Sequence, residues 1–143
     1  MTKSRVKSAP QARSAKYGHR IWFFPDGDLP PPGEGAFKGH ESLIILNPNG
    51  LNAEVQLTVY FTDRAPVEPA RQVVQARRVR CFRLDQPIGG YRLPFGQYAL
   101  KVTSTVPVIC QMGRADVRQA NLAYYTVLGF PAGSVQEARC VTK

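Results

Sequence analysis

Apolar side chains recur along this 143-residue chain in short period-two runs, and turn-forming residues interrupt them every few positions. The clearest run is Ala53–Asp63: Val55, Leu57, Val59 and Phe61 point one way, Glu54, Gln56, Thr58 and Tyr60 the other. Such a strand has one core face and one face turned to solvent or a ligand. Glu41–Asn47 is a second strand, ended by the Pro48-Asn49-Gly50 turn, and the two together predict a β-hairpin. Arg20–Phe24 is an earlier strand, stopped by Pro25 and an Asp26-Gly27 turn. Between Leu29 and Gly39, Pro30, Pro31 and Pro32 with Gly33, Gly35 and Gly39 exclude regular structure. A loop of that length serves as a lid, a binding loop or an interface arm.

Further on, Arg71–Ala76 and Arg77–Leu84 are two apolar-containing stretches. In the second, Val79 and Cys81 alternate with Arg78 and Arg80, so the arginines share one face. Arginines at 77, 78, 80 and 83 suit either a phosphate-binding ribbon or a charged edge strand guarded against stray pairing. Asp85–Gly96 is a Pro/Gly loop, and Gln97–Ser104 a strand with Tyr98, Leu100 and Val102 on one face. Val106–Cys110 is β-branched and reads as a buried strand, and Leu122–Leu128 is a second apolar run. Between them lie Gln111, Arg114, Asp116, Arg118, Gln119 and Asn121, long hydrogen-bonding side chains placed between two scaffold strands. Seven or eight short strands with no amphipathic helix define an all-β chain: a single-domain antiparallel β-sandwich or jelly roll. The expected boundaries are a basic, disordered tail over 1–19, the sandwich over 20–131 and a C-terminal tail over 132–143, frayed or a short helix.

Charge sharpens that division. The chain carries +9, and Lys3, Arg5, Lys7, Arg13, Lys16 and Arg20 supply six of the nineteen bases with no acid among them. The remainder is close to neutral. The tail lacks hydrophobic periodicity, so it is expected to be disordered. It serves either as a solubilising leader or as a contact for phosphates or an anionic membrane surface. No apolar run reaches membrane-spanning length, and no apolar segment of signal-peptide type follows the basic residues. Cys81, Cys110 and Cys140 are odd in number and widely spaced, which suits reduced thiols in the cytoplasm, with Cys81 and Cys110 as small core residues. His19 and His40 are the only histidines, so neither a zinc site nor any other cofactor is expected.

No nucleophile, phosphate-loop or metalloprotease motif is present, and an enzyme is not expected. Glu41 and Asp116 suggest a carboxylate pair, but sequence does not set the separation that acid–base hydrolysis requires, and His40 and Glu41, adjacent on a strand, face opposite ways. Binding is easier to assemble. A sugar-like ligand needs planar polar partners and an aromatic surface for its C–H faces. Gln111, Arg114, Asp116 and Asn121 offer the first, and Trp22, Tyr60 or Tyr98 the second. Trp22 reads equally as a core aromatic. A buried Arg114 needs a carboxylate, and Asp116, two residues on, is the nearest in sequence.

In this order, IWFFPDGDLPPP, GHESLIILN, AEVQLTVYFTDRAPVEP, QVVQARR and VPVICQMGRADVRQ resemble the sensory rhodopsin transducer family of small soluble prokaryotic proteins. The resemblance runs from Ile21 to Leu128. It implies a jelly-roll sandwich assembled as a homotetramer, and a non-enzymatic role as a ligand-binding or signalling adaptor. The positions that carry over are His40, Glu41, Asn47, Gln111, Arg114 and Asp116. Gly39 departs from the family pattern, which has a serine before His-Glu, and the basic extension is not part of it. Three functions compete. One is binding of a carbohydrate or similar polar metabolite through Trp22, His40, Glu41, Asn47, Gln111, Arg114, Asp116 and Asn121. Another is DNA association through Lys3, Arg5, Lys7, Arg13, Lys16, Arg78 and Arg80. The last is docking to a membrane receptor such as a sensory rhodopsin.

Overall fold

The computed structural model describes residues 17–133; the basic residues Lys3, Arg5, Lys7, Arg13 and Lys16, and Cys140, lie outside that range. The disordered tail and the frayed end expected above fall largely outside it too. The period-two runs form eight strands: β1 (His19–Leu29), β2 (His40–Asn47), β3 (Ala53–Tyr60), β4 (Gln72–Val74), β5 (Arg78–Arg83), β6 (Gly96–Asp116), β7 (Ala123–Val127) and β8 (Phe130–Ala132). All pair antiparallel, and they form an all-β sandwich. One layer runs β4-β3-β6-β1-β8; the other is β5-β2-β6-β7.

β6 belongs to both layers. Its first part lies between β3 and β1, and from Ile109 onward it lies between β2 and β7. Pro107 falls at the passage and has no partner residue in any ladder, so its missing N–H disrupts no pairing. Along the whole strand alternate side chains point inward. Tyr98, Leu100 and Val102 from one part and Val108, Cys110 and Met112 from the other join a single core with Phe24, Leu43, Ile45 and Val59. Each fully buried apolar side chain of this size contributes about 1.5–3 kcal/mol, so the core carries the fold.

Several expectations change. The predicted β2–β3 hairpin does not form: β2 pairs with β5 and β6, whereas β3 pairs with β4 and β6. The connection is a crossing between layers, held by two buried asparagines. Asn47 Nδ2 donates to the carbonyls of Leu51 (2.8 Å) and Val74 (3.2 Å), and Asn49 Nδ2 donates to that of Pro107 (2.7 Å). β1 does not stop at Pro25. A bulge between Phe24 and Gly27 absorbs the proline, and Gly27 then sits beneath the Tyr98 ring, where a Cβ would meet Cζ at 2.6 Å.

β5 presents the opposite face from the one its arginines suggest. Phe82 is buried, whereas Val79 and Cys81 are exposed. Phe82 outweighs the two smaller apolar residues, and Arg80 lies over its ring at 4.5 Å. Cys81 is therefore not a core residue. Cys110 is, and burial pushes its thiol up to about 12. In β7 only Val127 is buried, because that strand pairs with β6 alone at the edge of its layer.

Candidate functional site

The C-terminal end of β6 gathers the polar side chains. Glu41 on β2 and Arg114 on β6 are directly opposed across the ladder. Glu41 has no exposed surface, and Arg114 is 4% exposed. Arg114 Nε donates to Glu41 Oε1 at 2.6 Å, the Tyr98 hydroxyl donates to Oε2 at 2.6 Å, and the Asp28 amide reaches Oε1 at 3.2 Å. The remaining guanidinium nitrogens donate to the Tyr125 hydroxyl (2.8 Å) and the Asp26 carbonyl (2.7 Å), with the Tyr125 ring 5.2 Å away. Burial works against the Arg114 charge, but hydrogen bonds to Glu41 and Tyr125 outweigh it and raise its pKa. Burial, reinforced by the Glu41 carboxylate, pushes the Tyr98 phenol well above its ordinary range. Glu41 is fully engaged and has no surface through which to meet a substrate. This cluster ties β1, β2, β6 and β7 together.

Asp116 is thus not the partner of Arg114. Its carboxylate projects past the strand end and takes Arg118 instead, at 2.9 Å to Nε. Arg118 also reaches Asp28 at 2.7 Å, so two acids orient one guanidinium. The bond to Arg118 lowers the Asp116 pKa against some burial, and Asp116 in turn raises that of Arg118. The segment after β6 bends around an open cleft of about 470 Å³ lined by Asp116, Arg118, Gln119, Asn121 and Ala123. Beside it a second cleft, about 290 Å³, is lined by Phe37, Val117, Ala120 and Leu122 together with Gln119. The Pro-Gly loop forms its far wall. Gly33 (φ 69°) packs against Val117, and a Cβ there would lie 2.6 Å from Val117 Cγ2.

Of the residues expected to bind, Asp116 and Asn121 reach this cleft. The others lie elsewhere. Trp22 is a core residue whose indole donates to the Val108 carbonyl at 2.9 Å. Asn47 is spent on the layer crossing, and Glu41 and Arg114 on the buried cluster. His40 Nδ1 is 2.9 Å from the Lys38 carbonyl, and its ring is 5.8 Å from Phe37. Gln111 is exposed opposite Ile44 on the outer face of the second layer. Arg78 and Arg80 sit on β5, and Arg80 is held by the Val73 carbonyl (2.8 Å) and Gln72 (3.2 Å). Asp26, Asp28, Phe37 and Tyr125 were not foreseen as partners. Asp26, Asp28 and Phe37 lie far from Arg114 and Arg118 in sequence and come near only through the fold, whereas Tyr125 is 11 residues from Arg114 and is brought opposite it by the pairing of β7 on β6. Among the described residues no cluster of three potential metal ligands occurs.

The class is therefore an all-β antiparallel sandwich with a salt-bridged interior and an open polar cleft where β6 ends. The chain belongs to the Anabaena sensory rhodopsin transducer family, whose model matches residues 17–131. A Thermotoga maritima protein, 1070, known from a crystal structure, is 32% identical and superposes with a TM-score of 0.72, covering 82% of this chain and 97% of its own. The Anabaena sensory rhodopsin transducer is 33% identical with a TM-score of 0.62, covering 69% of this chain and 99% of its own. No curated protein matches. Membership supports a transducer or adaptor role. Among the described residues no helix is long and apolar enough to cross a membrane.

Proposed function

We propose that this chain is an adaptor whose input is a small polar ligand of carbohydrate-like chemistry, taken at the cleft between Asp116 and Ala123. The observation that carries the reading is the junction of two unlike clefts at Gln119. On one side Arg118 is held in place by Asp116 and Asp28, leaving its face oriented without loss of further rotamer freedom. Gln119 and Asn121 make no hydrogen bond among the described residues, so their amides are available to hydroxyl groups. On the other side Phe37, Val117 and Leu122 offer an apolar surface for a ring's C–H face. The output is docking to a membrane receptor, a reading supported by the name of the Anabaena relative, a sensory rhodopsin transducer. The chain works in the cytoplasm as a homo-oligomer, a tetramer by the family resemblance.

A thermal-shift screen against sugars, sugar acids and phosphosugars tests the input. A ligand at a hundred times its Kd adds about 2.7 kcal/mol, which is a rise of several degrees for a domain of this size. The shift is expected to disappear in Arg118→Ala and Asn121→Ala while both remain folded. A flat screen, or a shift unchanged in both variants, removes the cleft as the input site.

A further inference from the structure

β4 and β5 are the free strands on the flank opposite β7 and β8: β4 pairs only with β3, and β5 only with β2. A strand paired on one side leaves a row of amide and carbonyl groups on the other. On β4 the row is partly closed, because Arg80 occupies the Val73 carbonyl. On β5 the ends are closed, since the Gln86 amide donates to the Arg83 carbonyl (3.2 Å) and the Arg78 guanidinium to that of Arg77 (3.0 Å), but among the described residues no side chain caps the stretch between them. Between the two strands runs an open groove of about 320 Å³ lined by Val73, Val74, Gln75, Arg78, Val79 and Arg80. Its lips are apolar: Val79 is 61% exposed and Val73 45%.

The charge around this edge is unbalanced. Arg71 pairs with Glu54, and Arg83 with Asp85. Arg77, Arg78 and Arg80 form no ion pair among the described residues. We propose that the open edge of β5 is a docking site for an acidic, extended segment of a partner protein, which adds as a further strand to the β5-β2-β6-β7 layer. Main-chain hydrogen bonds would supply the affinity, and alternate side chains the selection. Carboxylates on one face of the segment meet Arg77 and Arg78, and apolar residues rest on Val79 and Val73, with Arg80 already spent on the β4 edge.

The same features disfavour other occupants. A second copy pairing β5 with β5 would set arginine against arginine across the ladder. The basic N-terminal residues repel this edge for the same reason. A nucleic acid would use the cations but leaves two exposed valines unexplained, and Arg80 already lies flat on Phe82 rather than projecting outward.

The test uses the full chain and a fluorescein-labelled octapeptide of alternating Glu and Val, read by anisotropy at low ionic strength. Three further probes accompany it: the same peptide with alternate amides N-methylated, a Lys-for-Glu version, and a short DNA duplex. The acidic peptide is expected to bind saturably, and Arg78→Glu to weaken it about tenfold. The N-methylated and Lys peptides are expected not to bind. Absence of saturable binding by the acidic peptide overturns the proposal. So does equal binding of the N-methylated form, which would mean charge contact without strand addition. Duplex binding tighter than the peptide, and lost in Arg78→Glu, would assign the edge to nucleic acid instead. None of these outcomes bears on the ligand cleft, which lies at the far end of β6.

Discussion

Arg114 shows what a single buried charge requires. It sits in β6 between buried Gly113 and Ala115, and its charge is tolerated because Glu41, Tyr125 and the Asp26 carbonyl meet all three of its nitrogens. The sequence makes the need visible but not the partner. Asp116 is two residues away, whereas Glu41 is 73 residues away and is brought opposite only by the register of β2 on β6. Removing one member of such a pair strands the other in the interior. Glu41→Gln keeps the volume but leaves Arg114 without a counter-charge, and is expected to cost about 3–5 kcal/mol in urea unfolding. Replacing both, as Glu41→Leu with Arg114→Met, should be less damaging than Glu41→Gln alone. Recovery stays incomplete, since the Tyr98 hydroxyl loses its acceptor, a loss of about 1–3 kcal/mol. If the double variant proves less stable than the single one, the cluster stabilises by more than charge compensation and this account fails.

At the scale of elements, period-two patterning located the strands well and their partners poorly. β3 and β2 stand almost where alternation placed them, yet they lie in different layers, because Asn47 and Asn49 turn the chain across the sandwich. A turn signal of Pro-Asn-Gly states that the chain bends, not in which layer it continues. In β5 alternation was sound, but the choice of face was not: Phe82 decided it against Val79 and Cys81. The Pro-Gly loop was legible as irregular, and its role as a cleft wall was not. Gly39 stands where the chain has no room for a side chain. A Cβ at this position would stand 2.5 Å from the Pro31 carbonyl oxygen and 3.1 Å from Val117 Cγ2. Because the first contact is backbone, the loop itself must move to admit a side chain, and the Gly39 amide would strain its 3.0 Å bond to the Pro32 carbonyl. Gly39→Ser is therefore expected to destabilise by about 1–3 kcal/mol. It should also lower ligand affinity at the neighbouring clefts, read as a smaller thermal shift at fixed ligand concentration. A variant with unchanged melting temperature would show that the loop is free to move away from Val117.

For the whole molecule, the two flanks of the sandwich differ in charge and in exposed apolar surface. The β4–β5 flank carries arginines that form no ion pair among the described residues, whereas the β7–β8 flank is ringed by large apolar side chains. Tyr124 is 64% exposed, Leu128 73% and Phe130 60%. They cluster on one edge within seven residues of sequence, and such concentration marks a contact surface rather than scattered exposure. None of the three carries a charge, so a second copy docking here would escape the repulsion that the arginine flank would impose. Leu128→Glu with Phe130→Glu places two carboxylates in that contact and touches neither the salt-bridged cluster nor the ligand cleft. Light scattering after gel filtration is expected to give an oligomer for the native chain, fourfold the 15.9 kDa chain mass if a tetramer forms. The double variant should run as a monomer with an unchanged circular dichroism spectrum. If the native chain is itself monomeric, assembly is not part of how this sandwich works. If the variant keeps the native mass, the contact lies on another face, and the exposed row of Leu46 and Ile109 on the β2–β6 surface becomes the surface to substitute next.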